Sequence, residues 1–307
     1  MIRHPFDLNL LAVAVAIADA RSVTRAALAM HMSQPGLSTA LGRLRLQFGD
    51  PMFVRTSRGM EPTARGALVV AEARAILEAV QRRVLAVPRF DPAAQTPTEF
   101  RFAMADVAQS LFLPRLLSAL RQEAPLASVR ALGHEHSRLE AALESGAADL
   151  AVGYFPDLTG SALVQQRLFM HGFCCLLRTG HRCANGLSRA DFGALEHVVV
   201  EAPVHSQEIG ERYFARHGIH RRVRLRTTHF LTLPGILEGT DLVATVPAGL
   251  GAVLARTGRI VALPPPYALP RYQVRQHWHR RFHQDPRSRW LRALVARLFG
   301  AGSGFDP

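Results

Sequence analysis

Hydrophobic positions change their rhythm once along the chain. Up to residue 87 they recur every three or four residues, as on helices, whereas beyond residue 98 short apolar runs alternate with amphipathic stretches. The first run, Leu8 to Ala18, predicts a helix, and Ser22 can cap a second whose small residues Ala26 and Ala27 let a neighbour approach closely. After a break at His31-Met32-Ser33, Ser33 is the expected N-cap of a third helix. Pro35 falls in its first turn, and Leu37, Leu41 and Leu44 share one face. Two short helices joined by a tight turn, the second with a polar exposed face, form a helix-turn-helix. Pro51 to Arg55 and Thr56 to Met60 follow as a two-stranded wing that turns at Ser57 to Gly59.

From Thr63 a long helix is predicted to run to Val87, where Pro88 stops it. Val69, Ala73, Ile76, Val80, Val84 and Val87 recur at intervals of three and four, the spacing of a coiled-coil seam. So small a domain offers nothing to cover that stripe, so Val69, Ala73, Ile76 and Val80 are expected to pair with a second copy. Asp91 to Pro97 reads as a linker. Beyond it, runs such as Phe100 to Met104, Asp149 to Tyr154, Phe173 to Leu177 and Leu242 to Val246 alternate with helical stretches such as Leu111 to Glu123 and Glu208 to His217. This predicts an α/β domain with a mostly parallel sheet covered by helices. Pro264-Pro265-Pro266 separates a last strand, Arg271 to His279, and a last helix, Arg287 to Phe299. The expected domains are 1–62, 63–97 and 98–307.

Charge adds a partner to this picture. The chain has 37 basic residues, all of them arginine, against 24 acidic ones, a net charge of +13 over 307 residues. Residues 20 to 66 hold seven arginines (21, 25, 43, 45, 55, 58 and 65) and two acids, Asp50 and Glu61, a net +5. Arginines at a helix exit and in a wing can neutralise phosphates beside a DNA groove. Ser33, Gln34, Ser38 and Thr39 occupy the start and polar side of the recognition helix, where Gln34 can read adenine and the hydroxyls can reach base edges or phosphate. A solvated arginine-rich face on an ordinary helical bundle remains the alternative. Arginines 212, 216, 221, 222, 224 and 226 read as a solvated face in preference to a second patch facing DNA or another subunit.

Other chemistry is not indicated. Cys174, Cys175 and Cys183 cannot form a disulfide framework and lack CxxC spacing, which fits a reducing cytoplasm. Leu8 to Ala18 with Ala18-Asp19-Ala20 imitates a signal peptide, but Asp7 offsets Arg3, and the run is too short to span a bilayer. Without lysine there is no Walker A loop, and there is no Gly-x-Ser-x-Gly elbow. His277, His279 and His283 around Trp278 read as structural, and His134-Glu135-His136 as a solvated turn, so neither metal nor cofactor is expected.

The string RSVTRAALAMHMSQPGLSTALGRLR, followed by DPMFVRTSRGMEPTARG, closely resembles the winged helix-turn-helix of LysR-type transcriptional regulators. FRFAMAD, DLAVGYFPDL, TDLVATVP and WHRRFHQDPRSRWLRALVARLF resemble the branch with nodulation and aromatic-catabolism regulators, so the likeness covers nearly the whole chain. It implies a DNA-binding dimer or tetramer carrying a periplasmic-binding-protein-like sensor of two lobes, here 98–165 with 268–307, and 166–267, and a small-molecule effector between them. By matching positions, Ser33, Gln34, Pro35, Ser38 and Arg43 would face the major groove, and Arg55 and Arg58 the minor groove or its phosphates.

Ligands of open α/β sheets sit at the carboxyl ends of strands, near free helix N-termini. That places Ala105, Asp106, Leu111 and Phe112 on one side of the expected cleft, Pro203, Val204, His205 and Ser206 on the other, Pro247 and Gly249 after a third strand, and Phe169 and His171 as an apolar wall. Three departures from the branch pattern lower the expected charge of the ligand: Ala105 replaces a hydroxyl residue, Ala202-Pro203-Val204 replaces a Gly-Thr-Gly-like turn, and Gly249 stands where a cation is common. The cleft is expected to take a less charged ligand or none. The reading is a cytoplasmic, non-enzymatic regulator with no membrane partner. Its rivals are a two-lobed solute-binding protein or enzyme, and a sequence-blind architectural DNA binder.

Overall fold

The computed structural model describes residues 6–85, 89–94, 96–133, 136–201, 205–303 and 305. The chain divides into two compact units, Met1–Pro88 and Arg89–Pro307. In the first, α1 (Asn9–Ala20), α2 (Val23–Ala29) and α3 (Gln34–Phe48) precede the hairpin β1 (Phe53–Thr56) and β2 (Gly59–Pro62), and α4 (Ala64–Val80) follows. Each cap is local chemistry. The Ser22 and Ser33 hydroxyls accept from the N–H groups of Arg25 and Gly36 at 3.4 and 3.2 Å. Thr63 Oγ1 accepts from Gly66 N–H at 2.9 Å and donates to Asp50 at 2.6 Å. That hydroxyl, with the Met52 N–H, holds the Asp50 carboxyl below its usual range. Leu37, Leu41 and Leu44 pack with Leu10, Val13, Ile17, Met52 and Phe53 into one core.

Helix α4 departs from its expected role. Gly66, Val70 and Ala73 are buried within the unit, and Val69 packs against the same core, on the side where α4 lies along α1. Val69 and Ala73 are therefore already covered, because α1 supplies the apolar surface that the sequence reading judged missing. Ile76 and Val80 stay 46% and 38% exposed. The backbone continues as one π-helical turn, Gln81–Leu85. Val87 and Pro88 lie outside the described residues.

The second unit contains two five-stranded sheets. Its elements run β3 (Thr98–Ala103), α5 (Asp106–Glu123), β4 (Ala127–Leu132), α6 (His136–Ser145), β5 (Leu150–Gly153), β6 (Leu163–His171), β7 (Phe173–Arg178), α7 (Arg189–Ala194) and β8 (Glu196–Val200). They continue with α8 (His205–Arg216), β9 (Arg222–Thr227), α9 (Leu233–Glu238), β10 (Val243–Pro247), α10 (Ala248–Ala255), β11 (Ile260–Leu263), β12 (Tyr272–His279) and α11 (Pro286–Phe299). The first sheet orders its strands β4-β3-β5-β12-β6 and the second β11-β7-β10-β8-β9. Both are mixed, since β12 runs antiparallel to β5 and β6, and β7 antiparallel to β10 and β11; the expected mostly parallel sheet is corrected on this point. The cause is the crossing at Gly172, where the chain leaves one sheet and enters the other without a helix between. Strand β6 belongs wholly to the first sheet, so that crossing falls beyond the expected lobe boundary at 165.

Around the C-terminal motif, Arg292 is buried without a carboxylate partner among the described residues. Its guanidinium donates to Ser288 Oγ at 2.8 Å and to the carbonyls of His283 and Phe282 at 2.8 and 3.3 Å, and lies 4.4 Å over the Trp278 ring. Burial lowers its affinity for its proton. Trp278 Nε1 donates to His283 Nδ1, and His279 accepts from Arg281 N–H, so these histidines serve the turn before α11. Phe90 packs edge-on against Phe100 and tilted against Trp290, which stack on each other, and so fixes the start of the unit at the foot of β3.

Candidate functional site

The DNA-facing candidates lie on the first unit. His31, at φ 53°, ends α2 while Met32 N–H donates back to the Ala27 carbonyl, so α3 leaves at a fixed angle. Pro35, Ser38, Thr39 and Arg43 are exposed along α3. Gln34 Nε2 donates to Ser38 Oγ at 3.2 Å, and Thr39 Oγ1 back-bonds to the Pro35 carbonyl at 3.0 Å, which leaves the Gln34 carbonyl oxygen outward and Thr39 presenting its methyl. Ser33 is partly committed as N-cap. Arg55 and Arg58 are exposed on the wing, one in β1 and one in its turn.

Two residues build this surface through contacts that the sequence does not reveal. Gly59, at φ 108°, lies against the Arg21 carbonyl, where a Cβ would come within 2.5 Å, and Met60 N–H donates to that same oxygen at 2.9 Å. The wing is therefore fastened to the end of α1. Arg45, counted above among arginines available for phosphate, instead donates to the Pro51 and Phe53 carbonyls at 2.9 and 3.4 Å and braces the base of the wing. Its signal was one of position, at the helix exit facing the next strand.

In the second unit a small cavity of about 50 Å³ gathers Ala105, Leu111, Phe112, Phe169, His171 and Ser206 from the expected set. It adds Val107 and Ala108 from α5, Gly153 at the end of β5 with Tyr154 and Phe155 after it, and Tyr272 and Val274 of β12. Among the described residues, none that lines it carries a carboxylate or a guanidinium. Asp106 is not among them: α5 starts at that residue, five earlier than the expected Leu111, and its exposed carboxylate accepts from Val107 N–H. Pro247 and Gly249 are buried behind the lining. Gly249 N–H donates to His171 Nε2 at 3.1 Å, and a Cβ there would come within 2.8 Å of Leu111. Pro203, Val204 and the side chain of His205 lie outside the described residues.

A β-bulge makes this wall. Val274 pairs with Phe169 but Arg275 with Arg167, leaving Leu168 unpaired, so Leu168 and Phe169 both turn inward and His171 follows. Desolvation pushes the His171 ring down to about 4, aided by Arg271, so it is neutral and accepts through Nε2 while Nδ1 carries the proton. Phe112, Phe169 and Phe299 form an aromatic column with Phe305, over which Arg115 lies. The cysteines are buried, and burial raises the Cys174 and Cys175 thiols to about 12, leaving them protonated. Among the described residues no group of histidine, cysteine or acid could hold a metal ion, and no helix is long and apolar enough to cross a membrane. Of the six arginines from 212 to 226, Arg212, Arg221 and Arg226 pair with Glu208, Glu211 and Glu201. The rest are exposed.

Residues 8–67 match the model of the bacterial regulatory helix-turn-helix proteins of the lysR family, and residues 93–300 that of the LysR substrate binding domain. The HTH-type transcriptional activator NagR of Ralstonia sp is 37% identical over 95% of this chain and 97% of its own length. The activator NahR of Pseudomonas putida is 35% identical over the same shares. A crystal structure of a probable transcriptional regulator from Pseudomonas aeruginosa aligns with a TM-score of 0.59 at 29% identity, covering 95% of this chain and 98% of the other. CbnR in complex with its target DNA, at 21% identity and a TM-score of 0.56 over 95% of this chain and 99% of its own, shares the fold. The chain belongs to the LysR family of transcriptional regulators, DNA-binding proteins that form multimers and carry an effector-binding domain.

Proposed function

We propose that this regulator acts in the cytoplasm, reads an interrupted palindrome as a dimer through Ser33, Gln34, Pro35, Ser38, Thr39 and Arg43, and holds phosphates with Arg55 and Arg58. Its effector in this reading is a small uncharged aromatic molecule bound in the cleft between the lobes. The observation that carries the effector class is the cavity lining: aromatic and aliphatic, with the His171 Nδ1–H and the hydroxyls of Ser206, Tyr154 and Tyr272 as its polar side-chain groups and no fixed charge among the described residues. An anion there would lose its hydration and meet no cation, a cost of several kcal/mol. A free volume of about 50 Å³ holds little more than water, so an aromatic ligand would have to part the lobes. Such a ligand favours one arrangement over another, as an allosteric signal requires. Ile76 and Val80, uncovered on α4, are the proposed dimer contacts.

A reporter driven by the promoter upstream of the regulator's own gene, challenged with matched pairs of neutral and carboxylated aromatics, tests this reading. Induction by the neutral members, lost in Phe112→Trp, supports it. Induction by the carboxylated members alone, surviving in that variant, would place the effector elsewhere.

A further inference from the structure

Four phenylalanine rings from the first-sheet half of the unit form one column beside the cavity, and they are not held alike. Phe112 on α5 and Phe169 on β6 line the space, stacked 6.0 Å apart. Phe299, the last residue of α11, and Phe305, beyond it, stand behind them and do not line it. Phe112 and Phe299 are buried on their helices, and Phe169 is paired with Val274 across the sheet. Phe305 belongs to no helix or strand. Its half-buried ring lies 5.4 Å from Phe169, 6.1 Å from Phe112 and 5.0 Å edge-on from Phe299.

A turn brings Phe305 back to the core. Gly300 N–H still donates to the Ala296 carbonyl at 2.7 Å, and Gly302, at φ 81°, bends the chain so that Ser303 N–H reaches the Gly300 carbonyl at 3.1 Å. Phe305 N–H donates to Ser303 Oγ at 3.2 Å, within the same segment. Among the described residues, one hydrogen bond joins this segment to anything beyond α11: Arg115 Nη2 donates to the Ser303 carbonyl at 3.0 Å. The same guanidinium lies 5.8 Å from the centre of the Phe305 ring and 6.0 Å from that of Phe299.

Three of the rings are thus framed by helix or sheet, and the fourth by a turn and one arginine, so Phe305 is the ring displaced at least cost. The cavity needs such a place. Its volume of about 50 Å³ is far below the roughly 150 Å³ at which an apolar cavity holds benzene. Parting the lobes opens the mouth, but depth on this side is set by Phe112 and Phe169, which can retreat only as far as the rings behind them allow.

We propose, on the reading that the interlobe cleft is the effector site, that Phe305 is the yielding part of its wall and sets the size of the aromatic molecule this sensor admits. An entering ring pushes Phe112 and Phe169 back into the place that the Phe305 ring leaves, and Arg115 is the clasp that resists.

Calorimetric titration of the full-length protein with benzyl alcohol and 2-naphthylmethanol, uncharged alcohols of one ring and two, tests this, with melting curves to confirm that each variant is folded. Phe305→Ala should shift the ratio of the two affinities by at least about tenfold towards 2-naphthylmethanol, and Arg115→Gln by about threefold in the same direction. A purely structural ring would lower the melting temperature in Phe305→Ala and leave the ratio alone. Gly249→Val, which drives Leu111 into the cavity, should abolish binding of both alcohols; should that variant not fold, Phe112→Trp fills the same space. An unchanged ratio in Phe305→Ala, with binding lost in Gly249→Val, overturns the role of Phe305 and leaves the cleft as the effector site. Binding that survives Gly249→Val places the alcohols outside the cleft and overturns both. Failure of Phe305→Ala to bind either alcohol at millimolar concentration also overturns the role of Phe305, since the vacated ring position should by itself make room.

Discussion

The N–H of Gly249 donates to Nε2 of His171 at 3.1 Å, tying the first turn of α10 in one lobe to the last residue of β6 in the other. One residue away, Ala248 N–H donates to the Gly172 carbonyl at 2.9 Å. This double clasp sits directly behind the cleft lining, and only a glycine leaves room for Leu111. Gly249→Val is therefore expected to drive Leu111 into the cavity and raise the half-saturating effector concentration by at least about tenfold, with operator affinity in the absence of effector unchanged. Reporter dose-response and DNA-binding titrations with both proteins measure this. Equal dose-response curves would rule out the cleft as the effector site.

Three buried histidines make stability depend on pH. His171, His197 and His277 are each pushed by desolvation from 6.5 to about 4, so the fold holds them neutral over a range where the unfolded chain protonates them. The unfolded state then binds more protons between these limits, and stability falls as the pH drops. It is full above about 6.5 and declines towards 4, by up to about 1.4 kcal/mol per pH unit for each group. Urea midpoints of the second unit should be flat from pH 7 to 8 and fall steadily from 6.5 to 5. A midpoint constant down to pH 5 contradicts the buried neutral rings.

Ile76 and Val80 are the test of assembly. A glutamate at Val80 would be buried against a partner helix without a cation, a cost of several kcal/mol per site. Val80→Glu should move the protein towards monomer in light scattering and weaken operator binding through loss of the second half-site. Ala73→Glu should instead unfold the first unit, since Ala73 is wholly buried within it. An unchanged mass for Val80→Glu excludes this face from the dimer.

Recognition and positioning separate in a comparison of site with scrambled DNA. Gln34→Ala should reduce the ratio of the two affinities, by about 1–3 kcal/mol in discrimination. Arg55→Ala should weaken both alike and lower the salt slope by about one unit. If Gln34→Ala leaves the ratio intact, α3 does not read bases through that residue.

Arg292 is a structural cation. Lysine keeps the charge but cannot reach Ser288 and the Phe282 and His283 carbonyls together, so Arg292→Lys should cost about 2 kcal/mol in urea unfolding without changing DNA affinity per folded molecule. Wild-type stability in that variant would mean that the carbonyls find other donors.

The helix-turn-helix was legible because its determinants are local: Ser22 and Ser33 cap, Pro35 starts a helix, and Leu37, Leu41 and Leu44 mark the inner face. Strand β6 was not, because Gln165, Gln166 and Arg167 break the apolar run and the bulge at Leu168 disturbs the alternation on which strand recognition depends. The same reasoning separates the cleft residues. Leu111, Phe112, Phe169 and His171 could be placed from strand ends and chain order. Tyr154 and Tyr272 could not, since they meet only when β12 returns from the second sheet to lie beside β5. Val69 and Ala73 showed the right spacing for a seam. Spacing alone does not say whether α1 or a second copy covers it.

The unpaired Leu168 makes the sensor wall a matter of counting as much as of chemistry. Register through β6 reverses at one residue, so positions 169 and 171 belong to the cleft, while 167 and 170 belong to the outer face. A library built to redirect this regulator towards another inducer would gain from diversifying the first pair and holding the second fixed. A single-residue deletion between Leu163 and Leu168 would take up the bulge, leaving 169 and 171 in the wall but moving Leu168 across from Arg275, out of the core and onto the outer face.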